Sequence, residues 1–176
     1  MLLFVVRHAK AADRSTQEWP DDSQRPLTKD GRRKFKPLAR RVGDVYDHPA
    51  RVLSSGFVRA WQTARLLESA AGWPEPTRCE QLECDYFGGV ASVCELLAQC
   101  EDASIALVGH EPMLSELVSE LIGTELPSIV MKKGAIAVLE IAMTLHAAGE
   151  RNSLFGTASL VALLDPQSVG GRSKKR

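Results

Sequence analysis

Five consecutive apolar residues, Leu2-Leu3-Phe4-Val5-Val6, run near the start of the chain and stop at Arg7-His8. A short, unbroken apolar run rich in β-branched and aromatic residues predicts a strand buried on both faces, as in a parallel or mixed sheet. The pattern recurs at Arg51-Val52-Leu53-Ser54 and at Ile105-Ala106-Leu107-Val108. Between these runs, apolar positions return at helical spacing. Phe35, Leu38, Ala39, Val42 and Tyr46 mark one helix behind a Thr28 N-cap, and Phe57, Ala60, Trp61, Ala64, Leu67 and Ala71 mark another. Pro37 falls inside the first; an interior proline removes a hydrogen bond and costs roughly 3 kcal/mol, which predicts a kink or a late start. Val93, Leu96, Leu97 and Cys100 predict a short helix. Pro112 suits the first turn of a further one carrying Leu114, Leu117, Val118 and Leu121, which Gly123 stops.

Beyond residue 130 the alternation changes. Ala135 to Ile141 and Ala158 to Leu164 both have strand character and are joined by a polar stretch around Gly149 to Asn152, which predicts a hairpin at one side of the sheet. The segment after Gly72, with Pro74, Pro76 and Gly88-Gly89, is irregular, with room for an edge strand near Arg78 to Leu82. Three strands alternating with helices, then two in tandem, predict a three-layer α/β/α sandwich with a mixed, mainly parallel central sheet. Residues 9 to 26 are polar, contain Pro20 and Pro26, and form a long loop directly after His8; long loops in compact domains are often functional.

Length and charge narrow the picture. A chain of 176 residues is one ordinary domain, taken here as residues 1–168, with a basic tail at 169–176. Lys plus Arg and Asp plus Glu both count 22; subtracting Arg172, Lys174, Lys175 and Arg176 leaves 18 basic residues against 22 acidic, a net of about −4. Nothing in that total suggests a nucleic-acid or membrane partner. Cys79, Cys84, Cys94 and Cys100 match neither zinc-knuckle nor CxxC spacing and are taken as reduced thiols. The opening apolar run is too short for a signal sequence and no run approaches a membrane span, so a cytoplasmic location is expected.

Chemistry concentrates at the strand ends. One strand ends in Arg7-His8 and another in Gly109-His110, while the strand between leads through Ser54-Ser55-Gly56 into a helix start carrying Arg59. In open α/β sheets ligands bind beyond the carboxyl ends of strands, so these residues are expected to converge. Taken singly, either histidine would be an ordinary loop residue and Arg59 a solvated helix position; His48 and His146 are left in that ordinary class. Together, two guanidiniums and two imidazoles suit a tetrahedral oxyanion, above all a phosphoryl group. No Asp/Glu cluster accompanies them to hold magnesium and no GxxxxGK[ST] loop is present, so no cofactor is expected and charge must be neutralised by Arg and His themselves. A histidine whose other ring nitrogen is tied to a carbonyl can act as nucleophile and form a phosphohistidine.

Four motifs stand in order: Arg7-His8 at a strand end, Arg25-Pro26-Leu27-Thr28-x-x-Gly31, Ser54-Ser55-x-x-x-Arg59-Ala60-x-Gln62-Thr63-Ala64, and Val108-Gly109-His110-Glu111-Pro112. This pattern resembles the histidine phosphatase, or phosphoglycerate mutase-like, superfamily, and most closely its SixA-type phosphohistidine phosphatase branch. The resemblance implies a phosphoglycerate mutase-like fold and a metal-independent phosphatase in which His8 is phosphorylated, Arg7 and Arg59 bind the phosphoryl oxygens and His110 completes the pocket. It implies a phosphohistidine-bearing signalling protein as substrate. Two positions depart from the family pattern. Ala9 stands where glycine is usual, and a left-handed backbone there would cost alanine roughly 1 to 2 kcal/mol. No full proton-donor motif is present; of Glu80, Glu83 and Asp85, Glu83 is the first candidate. A weak acid favours a phosphoramidate, because imidazole, with a conjugate-acid pKa of about 6.5, leaves more readily than an alkoxide. The interval from Arg59 to His110 has little room for a cap, which also favours a side chain presented by another protein. Two alternatives remain: a small-molecule phosphomonoesterase using the same pocket, and a phosphoprotein-binding module that has lost catalysis.

Overall fold

The computed structural model describes residues 1–84, 86–124, 128–142 and 154–169. The first apolar run forms β1 (Leu2–Arg7), followed by the long loop with its single turn of 3-10 helix at Asp22–Gln24 and then helix α1 (Lys29–Val45). Strand β2 (Arg51–Ser54) leads into α2 (Val58–Ala71), and the irregular stretch holds β3 (Thr77–Arg78) and a 3-10 turn at Glu80–Leu82. Helix α3 (Gly89–Ala98), strand β4 (Ser104–Gly109) and helix α4 (Met113–Ile122) follow. Strands β5 (Ile136–Ile141) and β6 (Ala158–Leu164) and the short α5 (Pro166–Val169) close the described chain.

The sheet runs β3-β2-β4-β1-β5-β6. Strands β3, β2, β4 and β1 are mutually parallel; β5 runs antiparallel to β1, and β6 antiparallel to β5, as the hairpin pattern predicts. The stretch expected to join β5 to β6, around residues 149–152, lies outside the described residues, as do His146 and the basic tail from residue 170.

Alternation along β1 explains why both faces are covered. Leu3 and Val5 point into one core with α3 and α4 residues such as Val93, Leu97, Leu114 and Leu117, while Phe4 and Val6 point into a second with Phe35, Leu38, Ala64 and Leu67 of α1 and α2. A strand buried on both sides needs a continuous apolar run, which is what residues 2–6 supply. The result is a mixed six-stranded sheet between two helical layers, the predicted sandwich.

Two details of the helices differ from the sequence pattern. Helix α1 starts at Lys29 under the Thr28 cap, whose Oγ accepts from Gly31 N–H at 2.9 Å, and continues through Pro37 rather than starting late. Pro37 is exposed, and so is Arg33, whose carbonyl it leaves unpaired, so water can satisfy the lost bond. On α2, Thr63 is fully buried and Trp61 only half-buried, the reverse of an apolar-periodicity reading. The reason lies in the loop after β1, described below. Among the described residues no helix is long and apolar enough to cross a membrane.

Candidate active site

Register brings the predicted residues together. Strands β1 and β4 are parallel with Arg7 opposite Gly109, and β2 is parallel to β4 with Ser54 opposite Val108, so three strands end at one edge. His8 and His110 are therefore the first residues past neighbouring strand ends, and their ring centroids lie 5.2 Å apart. Short bonds fix these exits: His8 N–H donates to Gly109 O at 3.1 Å and Ser55 N–H to Val108 O at 3.0 Å. The edge opens into a cleft of about 250 Å³ lined by Arg7, His8, Arg25, Arg59, His110 and Glu111 among others.

The tautomer of His8 follows from its partner. Nδ1 lies 2.7 Å from Ala9 O, and a carbonyl can only accept, so Nδ1 carries the proton and Nε2 of the neutral ring keeps its lone pair. Burial drives the pKa of His8 down to about 4; the Ala9 hydrogen bond opposes this, and the nearby cations Arg59, Arg7 and Arg25 add to it. The ring is consequently neutral at physiological pH. His110 is pushed down to about 2, first by burial and then by His8 and Arg59. Its Nε2 lies 2.9 Å from Ser55 Oγ, which itself accepts from Phe57 N–H at 3.2 Å. Which of the two donates follows the imidazole tautomer, since the hydroxyl can both donate and accept, and His110 Nδ1 is a buried atom with no partner among the described residues.

Arg59 is 2% exposed, and a buried cation requires partners. Asp22 provides them: its carbonyl accepts from one terminal nitrogen of Arg59 at 2.7 Å and its Oδ2 faces the other at 2.9 Å. The same carboxylate takes Arg25 Nε on Oδ1 at 2.9 Å, and Arg25 reaches Ala12 O at 2.8 Å. Burial alone would raise the pKa of Asp22, but Arg25, Arg59 and Arg14 outweigh it and hold the carboxyl below its ordinary value. One acidic residue of the long loop thus ties two arginines into the cleft wall. Arg7 donates to Met131 O at 2.6 Å; burial lowers its pKa and Glu111 opposes the shift.

Alanine at position 9 is accommodated without strain. Among the described residues no non-glycine has a positive φ, so Ala9 adopts ordinary backbone geometry. Its side chain is buried and its N–H donates to Thr63 Oγ1 at 3.0 Å, while Thr63 donates to Arg59 O at 2.8 Å. Thr63 is buried on α2 because it couples the turn after His8 to the backbone of Arg59. The neighbouring Gln62 Oε1 accepts from Leu27 N–H at 2.9 Å and pins the other end of the loop.

Sequence reasoning brings Arg7, His8, Arg59 and His110 together, and the structure places all four on the cleft. Glu83 is elsewhere: its Oε1 accepts from Gly56 N–H at 3.1 Å, holding the turn between β2 and α2, and it is not among the residues lining the cleft. Asp85 lies outside the described residues. Arg25 and Asp22 were not singled out for the site; the Arg25-Pro26-Leu27-Thr28 motif was the available signal for the first. Glu111 also lines the cleft, with Oε2 accepting from Ser115 Oγ at 2.5 Å and Oε1 buried without a partner among the described residues. Burial raises its pKa, and the Ser115 hydrogen bond and Arg7 oppose the rise. Cys79, Cys94 and Cys100 are free thiols, and Cys84 lines the cleft. Among the described residues no group of three or more His, Cys, Asp or Glu is placed to hold a metal ion.

The sequence profile of the histidine phosphatase superfamily (branch 1) matches residues 3–88. Over 129 residues the chain is 30% identical to the phosphohistidine phosphatase SixA of Escherichia coli strain K12, covering 72% of this chain and 78% of that protein. Over 117 residues it is 35% identical to an uncharacterized protein of Picosynechococcus sp., covering 66% of this chain and 70% of that one. Among solved structures, that of the protein histidine phosphatase SixA complexed with tungstate is similar with a TM-score of 0.78 and 26% identity, over 96% of this chain and 99% of the other.

Proposed function

From the premise that this chain belongs to the histidine phosphatase superfamily and is SixA-like within it, we propose that it is a metal-independent phosphohistidine phosphatase that works through a phosphorylated His8. The observation that carries this is the His8 Nδ1 to Ala9 O bond at 2.7 Å, which leaves Nε2 unprotonated in a cleft lined by guanidiniums. Arg7, Arg25 and Arg59 attract the phosphoryl oxygens, and their field is strongest in a site partly closed to water. Nε2 attacks phosphorus as the P–N bond breaks, its electron pair returning to the substrate ring, which carries a proton on its other nitrogen and leaves as neutral imidazole. His110, on the cleft wall, supports a phosphoryl oxygen, and water then takes the phosphoryl group from His8 and regenerates the imidazole. The tungstate bound by the related SixA is a tetrahedral oxyanion of the kind this cleft suits.

The phosphohistidine substrate rests on leaving-group chemistry. A phosphohistidine protonated on its other ring nitrogen releases neutral imidazole, with a conjugate-acid pKa of about 6.5, without a strong general acid, and the candidate acid Glu83 is committed to Gly56. One observation favours a phosphoester instead: the half-buried Glu111 carboxyl in the cleft wall, its pKa raised by burial, has the character of a proton donor. Turnover of a phosphohistidine peptide measured beside a panel of alkyl phosphates separates the two. The proposal expects the phosphoramidate to be favoured by about 100-fold or more in kcat/KM, and for Glu111→Gln to leave that turnover within about threefold. Efficient alkyl phosphate hydrolysis that collapses in Glu111→Gln would overturn it in favour of the phosphomonoesterase. We place the protein in the cytoplasm, with a domain of residues 1–168 and a basic extension at 169–176.

A further inference from the structure

A second cavity adjoins the catalytic cleft. It measures about 420 Å³ and shares Arg7 and Lys133 with the cleft, so the two lie side by side. Its charged lining is Arg7, Lys10, Lys34, Lys132 and Lys133 against the one carboxylate of Asp165. Asp165 pairs with Lys132 at 3.3 Å and Lys34 is held by Asp30 at 2.8 Å. Lys10 and Lys133 have no ion pair among the described residues. Gly31, in the first turn of α1, also lines this shelf.

This concentration is not a by-product of a basic protein. The chain as a whole is neutral, and without its four terminal cations carries a net of about −4. Nor does the phosphoryl reaction account for it, because Lys10, Lys34 and Lys132 line only the second cavity. Exposed cations at the rim of a site act mainly on encounter and on choice of partner, and their effect is screened by salt.

Resting on the reading of the cleft as a phosphohistidine phosphatase site, we propose that the Lys10-Lys34-Lys132-Lys133 shelf is a docking surface for acidic residues flanking the phosphohistidine of a substrate protein. The cleft takes the phosphoryl group while the shelf takes carboxylates a few residues away on the same partner. Substrate choice is then set by charge beside the target histidine.

Two phosphohistidine peptides of equal length test this, one with glutamates flanking the phosphorylated histidine and one with serines, with free phosphoramidate as a small substrate that cannot reach the shelf. At low ionic strength the glutamate peptide should have a kcat/KM about 10- to 100-fold higher, mostly through KM, and the gap should close as salt rises. Lys10→Glu with Lys34→Glu should abolish the preference and leave phosphoramidate turnover unchanged; Lys10→Arg with Lys34→Arg should keep it. Equal kcat/KM for the two peptides, or a preference untouched by the charge reversal, overturns the docking surface. In that result His8-dependent hydrolysis of both peptides would persist and the reading of the cleft would stand; if neither peptide were hydrolysed, both would fall.

Discussion

Acidification should destabilise this protein through its two buried imidazoles. His8 is 7% exposed and His110 3%, and burial, reinforced by the surrounding arginines, holds their pKa values at about 4 and about 2 against an ordinary 6.5. In the unfolded chain both rings protonate as the pH falls through 6.5; in the folded chain they do not until those lower values are reached. The unfolded state therefore binds more protons between pH 6.5 and about 4, so the stability is fully present above 6.5 and is lost as the pH falls. The loss is about 1.4 kcal/mol per pH unit for each ring, which at pH 5 amounts to about 2 kcal/mol per histidine and about 4 kcal/mol for the pair. Carboxyls held below their ordinary pKa, such as Asp22, lose their contribution only at still lower pH. Glu111, with a raised pKa, acts in the opposite sense, but it is present in every variant compared. Urea denaturation at about pH 7.5 and about pH 5, for the natural chain, His8→Asn, His110→Asn and the double variant, isolates the effect whatever each substitution does at neutral pH. The natural chain should lose about 4 kcal/mol more than the double variant on acidification, with the single variants between. Equal losses in all four proteins would refute the neutral, buried state of the histidines.

Three further outcomes are expected. Ala9→Gly should change turnover by less than about twofold and lower stability by up to about 1 kcal/mol, because Ala9 already has ordinary backbone geometry; thermal melts and kinetics check both, and a large gain in kcat would restore the case for strain at this turn. Glu83→Gln keeps an oxygen that can accept from Gly56 N–H, so it should retain turnover on every substrate within about threefold, whereas a steep loss of kcat on alkyl phosphates would return Glu83 to the role of proton donor. Dialysis against EDTA should leave phosphoramidate turnover unchanged, and a loss restored by magnesium would contradict charge neutralisation by Arg and His alone.

The strands, the residues Arg7, His8 and His110 at their ends and Arg59 at the start of α2 were legible because each depends on a strong local signal. Residues 2–6 combine a short apolar run with β-branched and aromatic content, the signature of a doubly buried strand, and the parallel register observed places His8 beside His110. The polar supports were not legible. Thr63 is buried although hydroxyl residues are usually exposed, because it holds Ala9 N–H and Arg59 O together, and those partners come from separate elements. Asp22 belongs to a loop whose path no periodicity describes, and its role exists only once Arg25 and Arg59 are in place. Glu83 precedes the second histidine in sequence, as a donor should, but chain order does not reveal that its carboxylate turns toward Gly56. Pro37 broke a local rule at a position where solvent removes most of the cost.

The central claim is that Nε2 of His8 takes the phosphoryl group. Rapid quenching in alkali during turnover of a phosphohistidine peptide, followed by proteolysis and mass spectrometry, tests it directly. The expected result is an acid-labile phosphate on the peptide containing His8, absent from His8→Ala, which should also release no phosphate. Turnover with no phosphate on His8, or undiminished turnover in His8→Ala, would contradict it.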